Sequence, residues 1–240
     1  MMSHLILVRH GQSEWNLEKR FTGWVDVDLT PRGKLEACKA GELIRDQKIK
    51  IDYFFSSFQK RAVNTLSLIL NTIRNKSVPQ KAWELNERHY GALTGLNKED
   101  MMKKYGEKKI YEFRRSWKIK PEPLNINSPY HPNNIETYKD VPKDKIPSTE
   151  SLEDTYNRVV PFFISNIENK ITNKKNVLVS AHGNSIRALC KYLFKLDEVK
   201  ISKLEIPTGN PLKISFDNDR NINEYKYLDH ERAKDLLIFN

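Results

Sequence analysis

Long apolar runs are missing from this chain. Each falls far short of the roughly 18–20 residues that a membrane helix needs, so no membrane partner is expected. The opening Met-Met-Ser-His-Leu-Ile-Leu-Val-Arg-His has no basic leader and a four-residue apolar run. That argues against a signal peptide and for a cytoplasmic protein. Cysteine is scarce: Cys38 and Cys190 are the two in 240 residues. They are too few for a disulfide framework, and both fall in helical patterns where a thiol serves as a small core residue. Metal-binding spacings are absent, with no His-Glu-x-x-His, no Cys-x-x-Cys and no close His-x-His, so no metal is expected. The glycine loops that cradle nucleotide phosphates are absent too.

What the chain does have is positive charge, formally +10. Such an excess points to anionic partners. Half of it lies in residues 98–120, where nine Lys/Arg face four acids. Most of those lysines read as a solvated helix face. Tyr105, Tyr111, Phe113 and Trp117 interleave with the cations as on a nucleic-acid surface. Their near-helical spacing is better explained by core packing, so no nucleic-acid partner is expected.

The periodicity alternates strands with helices. Leu5–Val8, Asp52–Ser56, residues 80–85, Val177–Ser180, 212–217 and 223–228 read as strands. A helix starts at Pro31 behind the N-cap Thr30, with Leu35, Ala37, Cys38, Gly41 and Leu43 facing inward. Another begins at the cap Ser57 and buries Ala62, Leu66, Ile69, Leu70 and Ile73. Asn97 caps a short helix ending near Gly106, and a further one runs through Trp117. A long helix from about Ser151 to Lys170 should kink at Pro161. Asp229–Ile238 reads as a terminal helix. Residues 118–150 hold six of the eleven prolines and predict irregular chain. The expected fold is α/β: one three-layer α/β/α domain over residues 1–240. Its central sheet is mostly parallel, with a helical and irregular insertion at about 88–150 over one edge.

Two segments share a pattern. Leu-Ile-Leu-Val-Arg9-His10-Gly11-Gln12-Ser13 and Val-Leu-Val-Ser-Ala181-His182-Gly183-Asn184-Ser185 are each a buried strand, then His-Gly, then a polar turn. Ligands of open α/β sheets bind at the carboxyl ends of strands, so both imidazoles should meet at one crevice. The glycines are expected to let backbone approach a ligand, and the helix opening after His182 suits phosphate. A neutral ring nitrogen can attack phosphorus, and guanidinium groups such as Arg9 and Arg61 bind phosphate bidentately. Phosphoryl transfer needs chiefly positioning and charge stabilisation. Glu87, after the third strand, is the candidate proton shuttle.

These motifs resemble the histidine phosphatase superfamily, through Arg9-His10-Gly11-Gln12-Ser13-Glu14-Trp15-Asn16. Phe21-Thr22-Gly23-Trp24, Asn86-Glu87-Arg88-His89-Tyr90-Gly91, Gly95-Leu96-Asn97-Lys98, Arg114-Arg115 and Ile206-Pro207-Thr208-Gly209 are similar to its phosphoglycerate mutase branch. The resemblance spans about residues 4–228. It implies that His10 carries the phosphoryl group, that His182, Arg9 and Arg61 grip it, and that Glu87 is the general acid/base. It further implies a substrate site lined by Ser13, Asn16, Thr22, Gly23, Arg88, Tyr90, Lys98, Arg114, Arg115, Gly183 and Asn184. The implied activity is interconversion of 3- and 2-phosphoglycerate in glycolysis and gluconeogenesis, primed by 2,3-bisphosphoglycerate, in a homo-oligomer (dimer or tetramer). The alternative is a phosphatase of bisphosphoglycerate or another monoester using the same phosphohistidine chemistry. The tail, shorter and more apolar than in many relatives, leaves open how the site closes.

Overall fold

A computed structural model describes residues 2–234. The apolar run Ser3–Arg9 forms β1. Ser13 caps a single turn, α1 (Glu14–Leu17), through a capping box with Asn16. Thr30 caps α2 (Pro31–Asp46) by accepting from the Gly33 N–H, with Pro31 at the first helical position as expected. β2 (Tyr53–Ser56) leads to α3 (Lys60–Thr72) and the two-residue β3 (Gln80–Lys81). The insertion holds α4 (Lys98–Tyr105) and α5 (Glu107–Arg115). Then come α6 (Leu152–Phe163), α7 (Asn169–Thr172), β4 (Val177–Ala181) and α8 (Gly183–Leu193). α9 (Glu198–Lys203), β5 (Leu212–Phe216) and β6 (Ile222–Tyr227) close the order.

The six strands form one sheet in the order β3-β2-β4-β1-β5-β6. The pairs β3/β2, β2/β4 and β4/β1 are parallel, and β5 and β6 add antiparallel. Alternation along β1 makes the layers, because successive side chains point to opposite faces. Leu5 and Leu7 join Val159 and Phe163 of α6 and Ile186 and Leu189 of α8 in one core. Ile6 and Val8 join Ala40 and Ile44 of α2 and Leu66 and Ile69 of α3 in the other. The three-layer reading therefore holds.

Several local expectations are corrected. Leu35 is 72% exposed; the inner face of α2 is Gly33, Ala37, Ala40, Gly41 and Ile44. These small residues let α2 press on α3, where a Cβ on Gly41 would stand 2.6 Å from Thr72 Cβ. α3 starts three residues after Ser57, with Gln59 as N-cap; the Ser57 hydroxyl accepts from the Gln59 N–H and lies against His182 Nε2. The third strand stops at Lys81. The Ala82 N–H makes one more bond to Ser56 O, and a 3₁₀ turn (Trp83–Leu85) then redirects the chain. The helix containing Pro161 is continuous from Leu152 to Thr172, as expected in extent, and three residues past the proline its turns widen into a π-helical stretch, Ile164–Glu168. Tyr105 and Tyr111 are half exposed, whereas Trp117 is buried. Of the expected terminal helix, Glu231–Ala233 forms a 3₁₀ turn, and residues 235–238 lie outside the described residues. Cys38 and Cys190 are unpaired thiols.

The insertion reaches from the edge strand, where Glu136 and Asp140 share a groove with Lys81, to the carboxyl ends of β1 and β4, where Tyr90, Lys98, Arg114 and Arg115 share a cavity with His10 and Gly183. It has its own small cores, Phe21–Leu93–Ile110 and Trp24–Tyr138–Val141. Below it, the turn after β1 meets the first turn of α2 glycine to glycine. A Cβ on Gly11 would stand 2.1 Å from Gly33 O, and one on Gly33 2.0 Å from Gln12 O. Gly11 thus serves close backbone packing rather than ligand approach. Both obstacles are main chain and cannot swing aside. Gly33→Ala is therefore expected to lower stability by about 1–3 kcal/mol, read as a reduced urea midpoint, and to disturb the His10 turn.

Candidate active site

The site begins with strand pairing. β1 and β4 run parallel with Arg9 opposite Ala181, so His10 and His182 leave the sheet side by side. Their ring centroids are 5.0 Å apart. The His10 N–H donates to Ala181 O at 3.0 Å. His10 Nδ1 lies 2.7 Å from Gly11 O. A carbonyl can only accept, so Nδ1 carries the proton and Nε2 keeps its lone pair. Burial, then Arg61 and Arg9, hold the His10 pKa well below the usual value, which leaves the ring neutral at pH 7. His182 is lowered likewise by burial and then by Arg61, His10 and Arg9. Its Nε2 lies 2.7 Å from Ser57 Oγ.

The cations are held by main-chain oxygens. Arg9 Nη1 donates to Ile206 O at 2.7 Å, and Arg61 donates to Val25 O and Gly23 O, both at 2.9 Å. Arg9 Nε, Arg61 Nε and His182 Nδ1 are buried without a protein partner. The two guanidinium N–H groups are donors that need acceptors, and the oxygens of a phosphoryl group would supply them.

Glu87 is 8% exposed. Its Oε1 accepts from the N–H groups of Arg88 (2.8 Å) and Asn184 (3.1 Å). Glu87 thus takes one of the free amides at the start of α8. A buried pair sets its segment: Arg158 binds Glu150 at 2.7 Å and donates to the carbonyls of Glu84, Asn86 and Glu87. Glu150 accepts in turn from the His89 N–H.

These groups open onto a cavity of about 130 Å³, lined also by Asn16, Thr22, Gly23, Tyr90, Lys98, Arg114, Arg115, Gly183 and Asn184. Gly183 leaves ordinary space beside Arg9 and Glu87. Tyr90 receives a hydrogen bond from Asn184 Nδ2 at 3.1 Å. Burial alone would raise its phenol, but Arg88 and Arg114 outweigh burial and bring it down to about 8. Three of the expected residues are not on the cavity wall. Ser13 is fully buried as the cap of α1. Arg88 stacks on Tyr90, 4.8 Å from the ring centroid, and donates to Phe113 O. His182 reaches the site through its contact with His10. Sequence reasoning missed two wall residues, Arg187 and Glu205. Arg187 stands three positions after Asn184 on α8 and donates to its Oδ1 at 2.7 Å, a spacing that could have revealed it. Glu205 carried no such signal.

A neutral imidazole with a free ring nitrogen beside a second imidazole, two guanidiniums and a carboxylate is the donor set that phosphohistidine chemistry needs. The histidine phosphatase superfamily (branch 1) model matches residues 5–131 and 122–226, and the chain belongs to that superfamily. It is 70% identical over 238 residues to a 2,3-bisphosphoglycerate-dependent phosphoglycerate mutase of Pelagibacter ubique, covering 99% of this chain and 100% of the relative. A mutase of the same name from a Caulobacter species is 48% identical, covering 98% of each chain. Among solved structures, a mycobacterial glucosyl-3-phosphoglycerate phosphatase superposes with a TM-score of 0.68 at 21% identity, over 94% of this chain and 96% of that one. This last likeness is one of fold.

Burial also sets the pH response. His10, His182 and His89 all have lowered pKa values, His89 to about 3 through burial, then His131 and Arg158. Below about pH 6.5 the unfolded chain takes up protons that the folded chain refuses. Stability is thus full above pH 6.5 and is lost as pH falls. Each such group contributes a slope of about 1.4 kcal/mol per pH unit. The urea midpoint should fall between pH 6.5 and 5, and less steeply in His89→Asn.

Proposed function

We propose that this protein interconverts 3-phosphoglycerate and 2-phosphoglycerate through a phosphohistidine at His10. The single observation that carries the reading is the meeting of neutral His10 and Glu87 in a cavity walled by six cations: Arg9, Arg61, Lys98, Arg114, Arg115 and Arg187. A phosphate monoester carries roughly −1.5 to −2 at pH 7. A doubly phosphorylated glycerate with its carboxylate therefore carries roughly −4 to −5, which this donor set suits. The full-length likeness to mutases named for 2,3-bisphosphoglycerate supports the same substrate class.

His10 Nε2 attacks phosphorus, while Arg9, Arg61 and the His182 ring stabilise the charge on the transferring oxygens. Glu87 moves the proton: it takes one from the glycerate hydroxyl that receives the phosphoryl group and returns one to the oxygen that loses it. His10 donates to one hydroxyl and accepts from the other, so phosphate position changes without net hydrolysis. Bound 2,3-bisphosphoglycerate supplies the phosphoryl group that first charges His10. Lys98, Arg114, Arg115 and Tyr90 hold the far anionic groups, and Ser13 and Arg88 brace Asn16 and Tyr90 from behind. This reading carries with it one catalytic domain, a cytoplasmic location and homo-oligomeric assembly.

The test is incubation with 3-phosphoglycerate, with and without 2,3-bisphosphoglycerate, following both 2-phosphoglycerate and inorganic phosphate. Primer-dependent isomer formation without matching phosphate release is expected; release without isomer formation would make the protein a phosphatase. In the same assay Glu87→Gln should lower kcat by about 10²–10⁴-fold with little change in KM. Near-normal turnover in that variant would move the proton transfer to another group.

A further inference from the structure

One acid stands on the wall of this basic cavity without a part in the chemistry above. Glu205 lies in Leu204–Ile206, a segment that touches three pocket guanidiniums. Leu204 O accepts from Arg187 Nε at 2.9 Å and from Arg115 Nη1 at 3.3 Å. Ile206 O accepts from Arg9 Nη1. Between these two carbonyls the Glu205 carboxylate forms an ion pair with Arg115 Nη2. The carbonyls orient the arginines without neutralising them; Glu205 alone in the segment adds opposite charge. Its side chain is 52% exposed, against 12% for Arg115. The acid is therefore on the solvent side, where ion pairs exchange readily. The strongest charges on His10 are Arg61 and Arg9, whereas those on Arg187 are Arg115 and Glu205. Arg115 ends α5 of the insertion, while Arg9 adjoins His10 in the chain, so Glu205 pairs with a cation that the insertion contributes rather than with the one next to the ring.

We propose that Glu205 is a resident counter-ion that occupies Arg115 in the empty site and yields it to the ligand's second anionic group. It thereby sets how tightly a doubly phosphorylated ligand is held relative to a single phosphate. The consequence is discrimination: an anion that reaches only His10, Arg9 and Arg61 does not compete with Glu205, and one that extends to Arg115 does. Weakening that outer contact keeps a bisphosphate exchangeable. The ligand's identity rests on the proposed function; the competition for Arg115 does not.

Calorimetric titration of His10→Ala protein, which leaves the ligand intact, tests this with 2,3-bisphosphoglycerate and with inorganic phosphate as probes. Glu205→Gln keeps an acceptor for Arg115 without the charge, and Glu205→Ala removes both. Each is expected to bind 2,3-bisphosphoglycerate about three- to fivefold more tightly, the range of an exposed ion pair. Inorganic phosphate binding should stay unchanged, and added salt should narrow the difference. Unchanged bisphosphate affinity in both variants overturns the proposal. So does weaker binding in Glu205→Ala, which would make the acid a brace for Arg115 rather than its competitor. Failure of the native protein to isomerise phosphoglycerates would defeat the proposed function, while this comparison would still read the role of Glu205.

Discussion

The pairing of β1 with β4 is the constraint on which the rest depends. Two strands distant in sequence lie parallel in adjacent places, with Arg9 opposite Ala181. Leu5 to Val8 are buried on both faces, so apolar alternation alone does not choose the register. Polar contacts at the strand ends mark it, with the His4 N–H donating to Asn176 Oδ1, Ser180 Oγ donating to Ala62 O and the His10 N–H donating to Ala181 O. The same register puts the next residue of each strand, His10 and His182, at one end of the sheet. Strand pairing, which knows nothing of phosphate, thus sets the spacing of the two rings.

Gathering cations beside those rings opposes folding, since like charges repel and burial disfavours them. The chain meets this with carbonyl oxygens rather than a matching set of carboxylates. Gly23, Val25, Phe113, Leu204 and Ile206 each accept from a guanidinium through the main chain. Peptide dipoles hold the side chains in place while leaving their charge available to a ligand. Neutral imidazoles follow from the same field.

The parts legible in the sequence were those built from local pattern. Strand, His-Gly and polar turn occur twice within short windows, and Arg9 and Arg61 stand beside them. Asn16, Thr22, Gly23, Tyr90, Lys98, Arg114, Arg115, Gly183 and Asn184 were within reach through likeness to a known family, and the cavity includes them all. Features decided by long-range contact were not legible. Ser57 reads as a local cap, and nothing near it in sequence shows that its hydroxyl also reaches His182, 125 residues away. Leu35 fits a helical stripe by spacing, yet the closer approach allowed by Gly33, Ala37 and Gly41 rotates α2 away from it. Glu205 is one acid among 31, and nothing short of the tertiary fold places it by Arg115. The shortness of β3 was hidden because the chain past Lys81 must turn early to deliver Glu87.

The Arg158–Glu150 pair ties the last of these points to folding itself. Its two members come from α6 and from the end of the insertion, and together they hold the main chain from Glu84 to His89. Removing one partner of a buried pair leaves an uncompensated charge, typically at about 3–5 kcal/mol, so this wall has no inexpensive open form. The Glu87 carboxylate is therefore not mounted on a loosely held loop. Glu87 is instead tied to the scaffold through the same main chain that Arg158 and Glu150 hold, so its place beside His10 is set by folding rather than by ligand binding.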